Sequence, residues 1–394
     1  MQPPPKSQLL APRLSAYYAA IFLVVGIKTP FWPVFLAGRG LGATEIAAVF
    51  AAAIWFNVIA TPLIGAAADR LDKRRATMVV LAGIAIAAYA MLWRTESFWP
   101  LLVLTLIAAG GQSAIMPLGD SITLAAVRDD GLVYGRVRLW GSVSFIAAAS
   151  GSGWWLATVG SDTLGSHAVL ALVLAASTAV LAACLAIPAP NGGGRQPSRR
   201  GDMWVLARDH RFWRFIALSA AIQASHQAYY GFGTLYWRSL GFSDTVIGAL
   251  WAEGVMAEIA LFWGGAYLLA RLGPLGLIMA GGAAGIVRWS LMGLVPGLLP
   301  AAMLQLLHGL TFGATHLGAM NYLARTVPPG AAASAQALYA AASAGLGSGI
   351  VMLGAGALYA AFGARSYVFM AALAAAGLAA AIQLARLAPQ RPHF

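Results

Sequence analysis

Apolar runs long enough to cross a bilayer follow one another from about residue 14 to about residue 387. A helix needs roughly 20 such residues to span a hydrocarbon core about 30 Å thick. Inside or at the edge of these runs fall Lys28, Asp120, Arg138, Glu253, Glu258, Arg288, His308 and His316. A charge at bilayer depth costs about 2.5–3.5 kcal/mol on insertion scales, so such residues face a bundle interior or an aqueous cavity. They mark a transport pathway. The pattern therefore implies an all-α polytopic membrane protein that moves a solute.

Composition excludes several other classes. Hydrophobic residues make up 60% of the 394 and charged residues 10%, too little polar surface to cover a water-soluble globule. The lone cysteine, Cys184, rules out an intramolecular disulfide and a Cys-rich metal site. A net charge of +12 would suit nucleic acid, but the cations lie in short loops between apolar runs, where they set topology instead. The Met1–Pro12 segment has no apolar h-region, so no cleavable signal is expected. No cofactor motif or metal-ligand spacing is present, and the loops are too short and plain for a membrane enzyme's catalytic cluster. A membrane sensor on a transporter scaffold is the non-transport alternative, although such a sensor usually adds a soluble output domain, for which the tails and linker have no room. The partners expected are a small-molecule substrate, protons and the lipid bilayer, with the protein acting as a monomer.

Twelve spans are expected, with ends good to about three residues. The first six lie near 14–37, 44–66, 76–94, 98–126, 136–157 and 167–187, and the second six near 212–237, 244–270, 274–295, 298–325, 332–360 and 364–387. This divides the chain into a six-helix bundle at 1–187, a linker at 188–211 and a second six-helix bundle at 212–394. The linker, with Asn191-Gly-Gly-Gly-Arg195 and Arg199-Arg200, has the composition of a flexible connection. Arg70, Lys73, Arg74, Arg75, Arg128, Arg136, Arg208, Arg211 and Arg214 all fall on the side shared by the termini and linker. Arg39, Arg94, Arg238 and Arg365 make up the opposite side. By the positive-inside rule both termini and the linker are cytoplasmic, in the inner membrane of the cell.

The segment Gly65-Ala-Ala-Ala-Asp69-Arg70-Leu71-Asp72-Lys73-Arg74-Arg75 follows the second span. An echo in register, Ala266-Tyr-Leu-Leu-Ala270-Arg271-Leu272-Gly273, follows the eighth, as repeated halves would produce. The first segment resembles the signature loop of the major facilitator superfamily, Gly-x-x-x-Asp-Arg-x-Gly-Arg-Arg. That likeness implies a gating loop of Gly65, Asp69, Arg70 and Arg74, in which the glycine lets helices approach and Asp69 pairs with an arginine as a latch. Asp72 departs from the family's glycine. Read without the resemblance, this is a topogenic loop.

Tyr134-Gly135-Arg136-Val137-Arg138-Leu139-Trp140-Gly141-Ser142 resembles the same stretch of lactose permease and, more closely, of the phenylpropionate permease branch. Gln223 to Phe232, Gly285-Ile-Val-Arg288-Trp289, Leu307-His308-Gly309 and His316 to Met320 resemble that branch again, and the likeness runs from Leu14 to about Leu387. It implies two six-helix bundles working by alternating access. Carried over residue by residue, Asp120 and Arg138 stand where the sugar permeases bind substrate, and Phe145 stands for a sugar-stacking tryptophan. Arg288 and His308 match an arginine and a histidine of spans nine and ten. By spacing alone, Asp120 shares a helix face with Gln112, Met116 and Thr123.

The departures matter as much. Thr311 replaces the proton-carrying glutamate, Gln305 a lysine, and Gln227 and Tyr230 its acidic partners. Coupling must then use other groups. Glu258 is the first candidate, with His308 and His316 on one face with Gln305 and Phe312, while Asp120 is expected to pair with Arg138. Glu253 lies about 140° round the helix from Glu258, so only one of the two faces a cavity squarely. Lys28, just before Pro30 and Pro33, which should bend or break its helix, either snorkels to the outer surface or serves a substrate carboxylate. Three intramembrane cations and the phenylpropionate-like resemblance point to proton-coupled uptake of an aromatic or other organic carboxylate. A sugar or nucleoside permease, with Asp120, Arg138 and Phe145 holding a hydroxylated ring, is the alternative.

Overall fold

In the computed structural model residues 9–159, 162–188, 206, 208–327 and 331–387 are described, and their regular elements are helices alone. The linker expected at 188–211 lies largely outside them. The helices are α1 (Leu10–Ala37), α2 (Ala43–Leu71), α3 (Arg74–Leu92), α4 (Phe98–Ser113), α5 (Ile115–Asp130), α6 (Tyr134–Val159) and α7 (Asp162–Ala186). After the linker come α8 (His210–Ala224), α9 (Gln227–Ser239), α10 (Asp244–Trp263), α11 (Gly265–Leu294), α12 (Leu298–Leu306) and α13 (Thr315–Thr326). The last are α14 (Ala332–Tyr339), α15 (Ser348–Phe362) and α16 (Ser366–Leu387). Four crossings are each built from a pair: α4–α5, α8–α9, α12–α13 and α14–α15. The count among the described residues is then twelve crossings, as the hydropathy pattern requires. Large apolar side chains such as Trp263, Leu299 and Trp99 stand exposed, the arrangement lipid rewards and water would not.

Nine stretches are apolar enough to cross a membrane by composition alone, the last of them 54 residues long and holding two crossings. The two crossings that fail this criterion are α6 and α8–α9. The first is 26 residues long but rich in glycine and serine, and the second is split at Ser225–His226 into helices of 15 and 13 residues, each too short to span alone.

The paired crossings are interrupted where they carry chemistry. Between α4 and α5 the helix is interrupted at Ala114, and Tyr17 of α1 donates to the Ile115 carbonyl just after it at 2.6 Å. Between α8 and α9 it breaks at Ser225–His226. Between α12 and α13, Gly309–Ala314 forms a π-type turn, which re-aims the side chains beside it. A second such turn, Ala340–Gly347, joins α14 to α15. The expected break at Pro30 and Pro33 does not occur. α1 continues through both prolines to Ala37, since a membrane helix tolerates a lost backbone bond where neighbours bury it.

By packing, the chain divides into two compact units, Met1–Arg195 with Trp237–Ala252, and Gln196–Tyr236 with Glu253–Phe394. The short Trp237–Ala252 segment joins the first unit because Gly248 of α10 lies against Ala149 and Gly153 of α6 with no room for a Cβ.

Both ends of the internal echo carry a positive φ. α2 ends at Asp72 with φ 49° and ψ 38°, and the matching residue, Gly273, breaks α11 with φ 66° and ψ 175°. The first is the left-handed helical region, where an L side chain is strained by roughly 1–2 kcal/mol, and the second is a region open essentially to glycine alone. Asp72→Gly should therefore raise the thermal stability of purified protein, and Gly273→Ala should lower it by about 1–3 kcal/mol. Melting curves of the two variants check the two positions.

Candidate functional site

The first unit holds two polar centres at membrane depth. In one, the half-buried Lys28 Nζ donates to Tyr89 Oη at 2.6 Å and to Gln112 Oε1 at 3.2 Å. Tyr89 Oη donates to the same amide oxygen at 2.8 Å, and Gln112 Nε2 donates to Ser177 Oγ at 3.4 Å. The rings of Trp32 and Tyr89 each lie 5.2 Å from the ammonium. Lys28 thus points inward onto α3 and α4 and does not snorkel. Among the described residues no carboxylate lies within ion-pair distance of it. Gln112, expected beside Asp120, is turned to Lys28 because the break at Ala114 separates the two helical registers.

In the other centre, Asp120 Oδ1 accepts from the hydroxyls of Tyr18 and Tyr134, the latter at 3.2 Å. Tyr18 also reaches Thr123 Oγ1 at 3.2 Å, so part of the polar stripe of α5 is one group. Arg138 does not pair with Asp120. Its guanidinium lies over Phe22 at 4.2 Å and Tyr18 at 5.4 Å, while Tyr134, one turn earlier on α6, takes the carboxylate. Phe145 is buried where Gly26 of α1 meets the α6 backbone, so its ring packs in the core.

The second unit is organised on Arg288 of α11, which is fully buried. Its Nη1 donates to His308 Nδ1 at 2.9 Å and to Thr311 Oγ1 at 3.0 Å, and its Nη2 to Gln305 Oε1 at 2.6 Å. Gln305 Nε2 donates to Tyr229 Oη at 2.8 Å. Tyr229 and Trp289 present their rings to the guanidinium at 4.8 and 4.5 Å. Thr311 Oγ1 lies 3.1 Å from His226 Nε2, whose ring bonds back through Nδ1 to the Gln223 carbonyl. His308 Nε2 is 3.9 Å from Glu258 Oε2. Glu258, rather than Glu253, meets the cluster. Gly309 makes this possible, because a Cβ there would stand 2.7 Å from the Ala257 carbonyl of α10. His308, Phe312 and His316 form a column of parallel rings 5.6 and 6.1 Å apart, along the face that their spacing predicts. Tyr230 lies parallel to His226 at 5.9 Å, and Gln227 is buried at the start of α9.

Tyr18, Tyr134, Tyr89, Ser177, His226 and Tyr229 join these centres without a role read for them in the sequence, and Thr311 joins them though it reads there only as a departure. Their signal is weak, since a tyrosine or threonine in an apolar run is ordinary packing until a charge is placed beside it. Thr311 in particular replaces an expected carboxylate and becomes the link between two histidines.

The loop after α2 is exposed. Asp69 Oδ1 pairs with Arg74 Nε at 2.8 Å, with side-chain exposures of 49% and 19%. A Cβ at Gly65 would meet no atom within 4 Å, so the close approach expected of this glycine is absent from this structure. Arg70 is exposed beside it.

Helices alone, charges held at membrane depth by hydroxyls, amides and rings, and a basic loop repeated in register define a membrane transporter of the major facilitator fold. The chain matches the MFS_1 like family over residues 12–371, and it belongs to that family. It is 30% identical over 363 residues to a protein of Escherichia coli (strain K12) described as a probable 3-phenylpropionic acid transporter, covering 92% of this chain and 94% of that one. It is 28% identical over 342 residues to the maltose permease of Geobacillus stearothermophilus, covering 84% and 83%. The solved structure of the nucleoside transporter NupG superposes with a TM-score of 0.84 at 17% identity, over 97% of this chain and all of that one. An inward-facing bacterial homologue of the lysosomal transporter Spinster gives 0.73 at 13% identity, over 97% of each chain. The protein is a multi-pass membrane transporter and not an enzyme.

An exposed ion pair contributes about 0–1 kcal/mol. Asp69→Asn should therefore leave the melting temperature of purified protein nearly unchanged. A large loss of stability would show that Asp69 has a buried partner in another conformation.

Proposed function

We propose that the protein takes up a small organic carboxylate, aromatic in character, together with protons, by alternating access. The observation that carries this reading is Lys28. Its ammonium has three donors, of which two meet neutral oxygens, and it has ring faces but, among the described residues, no carboxylate within ion-pair distance. A cation left at membrane depth in that condition is stabilised when a carboxylate arrives. Arg138, whose guanidinium rests on two aromatic rings, offers a second such position. The relative described as a probable 3-phenylpropionic acid transporter supports the same substrate class.

Glu258 is the proton carrier in this reading, set against His308 on a helix with few other charges. Residues 1–187 and 212–394 are the two bodies that move, linked through 188–211, with Asp69 and Arg74 in the loop that gates them. Loop charge supports cytoplasmic termini in the inner membrane, and the protein works as a monomer. The maltose permease and NupG keep a second reading open, in which Asp120 and its tyrosines bind the hydroxyls of a sugar or nucleoside.

Thermal stabilisation of purified protein separates the two. A ligand at 100 times its Kd stabilises by about 2.7 kcal/mol, so phenylpropionate or benzoate should raise the melting temperature, and Lys28→Gln should abolish that shift. Stabilisation by maltose or a nucleoside instead would replace the carboxylate by the second reading. Counterflow of the stabilising solute in proteoliposomes distinguishes a transporter from a sensor, which exchanges nothing.

Coupling has its own test. Glu258→Gln mimics the protonated acid, so it should lose accumulation driven by a pH gradient while keeping solute exchange. Accumulation by this variant at the wild-type level would remove Glu258 from the role.

A further inference from the structure

The hydrogen bonds around Arg288 have directions, and the directions constrain where protons can sit. A guanidinium only donates. Its Nη1 lies 2.9 Å from His308 Nδ1, so that nitrogen must be the unprotonated acceptor of a neutral ring. The single ring hydrogen then sits on Nε2, the atom 3.9 Å from Glu258 Oε2. The second Nη1 hydrogen goes to Thr311 Oγ1 at 3.0 Å. Thr311 can then donate its own hydrogen to His226 Nε2, because His226 Nδ1 must donate to the Gln223 carbonyl, which only accepts. The guanidinium thus orders the His308 ring directly, while the Gln223 carbonyl orders His226.

From this we infer that Arg288 is a positioning residue: it locks His308 as the neutral Nε2–H tautomer aimed at Glu258. Three of its five donor hydrogens meet His308, Thr311 and Gln305, its Nε is buried without a hydrogen-bond partner among the described residues, and its faces are covered by Tyr229 and Trp289. Protonating His308 on Nδ1 would set two donors against each other beside a buried cation. The charged and titratable groups facing His308 are Arg288 from α11, Glu258 from α10, and His226 and Tyr229 from the broken α8–α9 crossing. Of these, only Glu258 can take up a proton without breaking a bond of the Arg288 network. The proton enters and leaves on its carboxylate, while His308 keeps one N–H throughout and points it toward that carboxylate from 3.9 Å.

This deepens the proposed coupling role of Glu258 and rests on it, but its test is separate. Long-range 1H–15N correlation spectra of histidine-labelled protein in nanodiscs, assigned with a His308→Leu variant, report each ring nitrogen directly. In the wild type, His308 should show an unprotonated Nδ1 and a protonated Nε2, unchanged from about pH 5 to about pH 8, a range over which a free imidazole titrates. A hydrogen on Nδ1, or titration within that range, overturns the lock, whatever Glu258→Gln does. In Arg288→Leu the ring should titrate in that range, and the pH profile of uptake should gain a matching step. If that variant fails to fold, the wild-type spectrum still decides.

A second arm uses chemistry that mimics the locked ring. The amide of His308→Gln accepts on one side and donates on the other without titrating. It should therefore keep pH-driven accumulation within about tenfold of wild type, whereas His308→Leu should lose it. Loss of coupling in His308→Gln with exchange retained would make His308 itself a proton carrier and refute the inference. An effect of Glu258→Gln alone would leave the tautomer result standing.

Discussion

A guanidinium held out of water must find partners for its charge inside the protein, and the second unit is arranged around that need at Arg288. Desolvating such a group costs several kcal/mol unless its hydrogens are met. Among the described residues no carboxylate forms an ion pair with it. A histidine, a threonine and an amide take three of its five hydrogens, two ring faces lie over its plane, and its Nε is left without a partner among those residues. Each partner brings its own requirement, which is why Gln305 holds Tyr229 and Thr311 holds His226. The broken α8–α9 crossing and the π-type turn in the tenth crossing are the backbone conditions that bring these partners within reach.

The first unit solves the same problem in two other ways. Lys28 is stabilised by hydroxyl and amide oxygens and by the faces of Trp32 and Tyr89, and Asp120 by two tyrosine hydroxyls. Opposite charges that could have neutralised one another, Asp120 and Arg138, are kept apart by one turn of α6. Each therefore retains its charge for another partner. In a transporter this is a consistent economy of charge, because an internal ion pair would compete with the substrate for the same groups.

Much of the site was legible in the sequence as a set of positions, and little of it as a set of contacts. His308, Phe312 and His316 share a face because helical spacing says so, and the rings do stack. The angle between Glu253 and Glu258 says that only one of them faces a cavity squarely, and the resemblance to the permease branch favours Glu258. Asp120 with Arg138 looked like a pair because opposite charges in neighbouring spans usually are. The tyrosines that intervene have no charge to announce them. Gln112 was assigned to the wrong neighbour because periodicity assumes an unbroken helix, and the break at Ala114 changes the register. Asp69 looked like a buried latch, and it makes an exposed pair within its own loop.

By itself the sequence determined that the chain crosses a membrane twelve times, that its halves repeat and that charges lie at depth. Those properties follow from transfer free energies and from spacing, both of which are local. The two matched positions, Asp72 and Gly273, both take a positive φ, although with different ψ. Only the tertiary structure decided which groups satisfy each buried charge, and in which direction each hydrogen bond runs. That choice depends on helix breaks and on close crossings such as Gly309 against Ala257, which bring together side chains from separate spans. No local rule fixes such pairings, because a buried polar group needs partners but its own position does not say which ones.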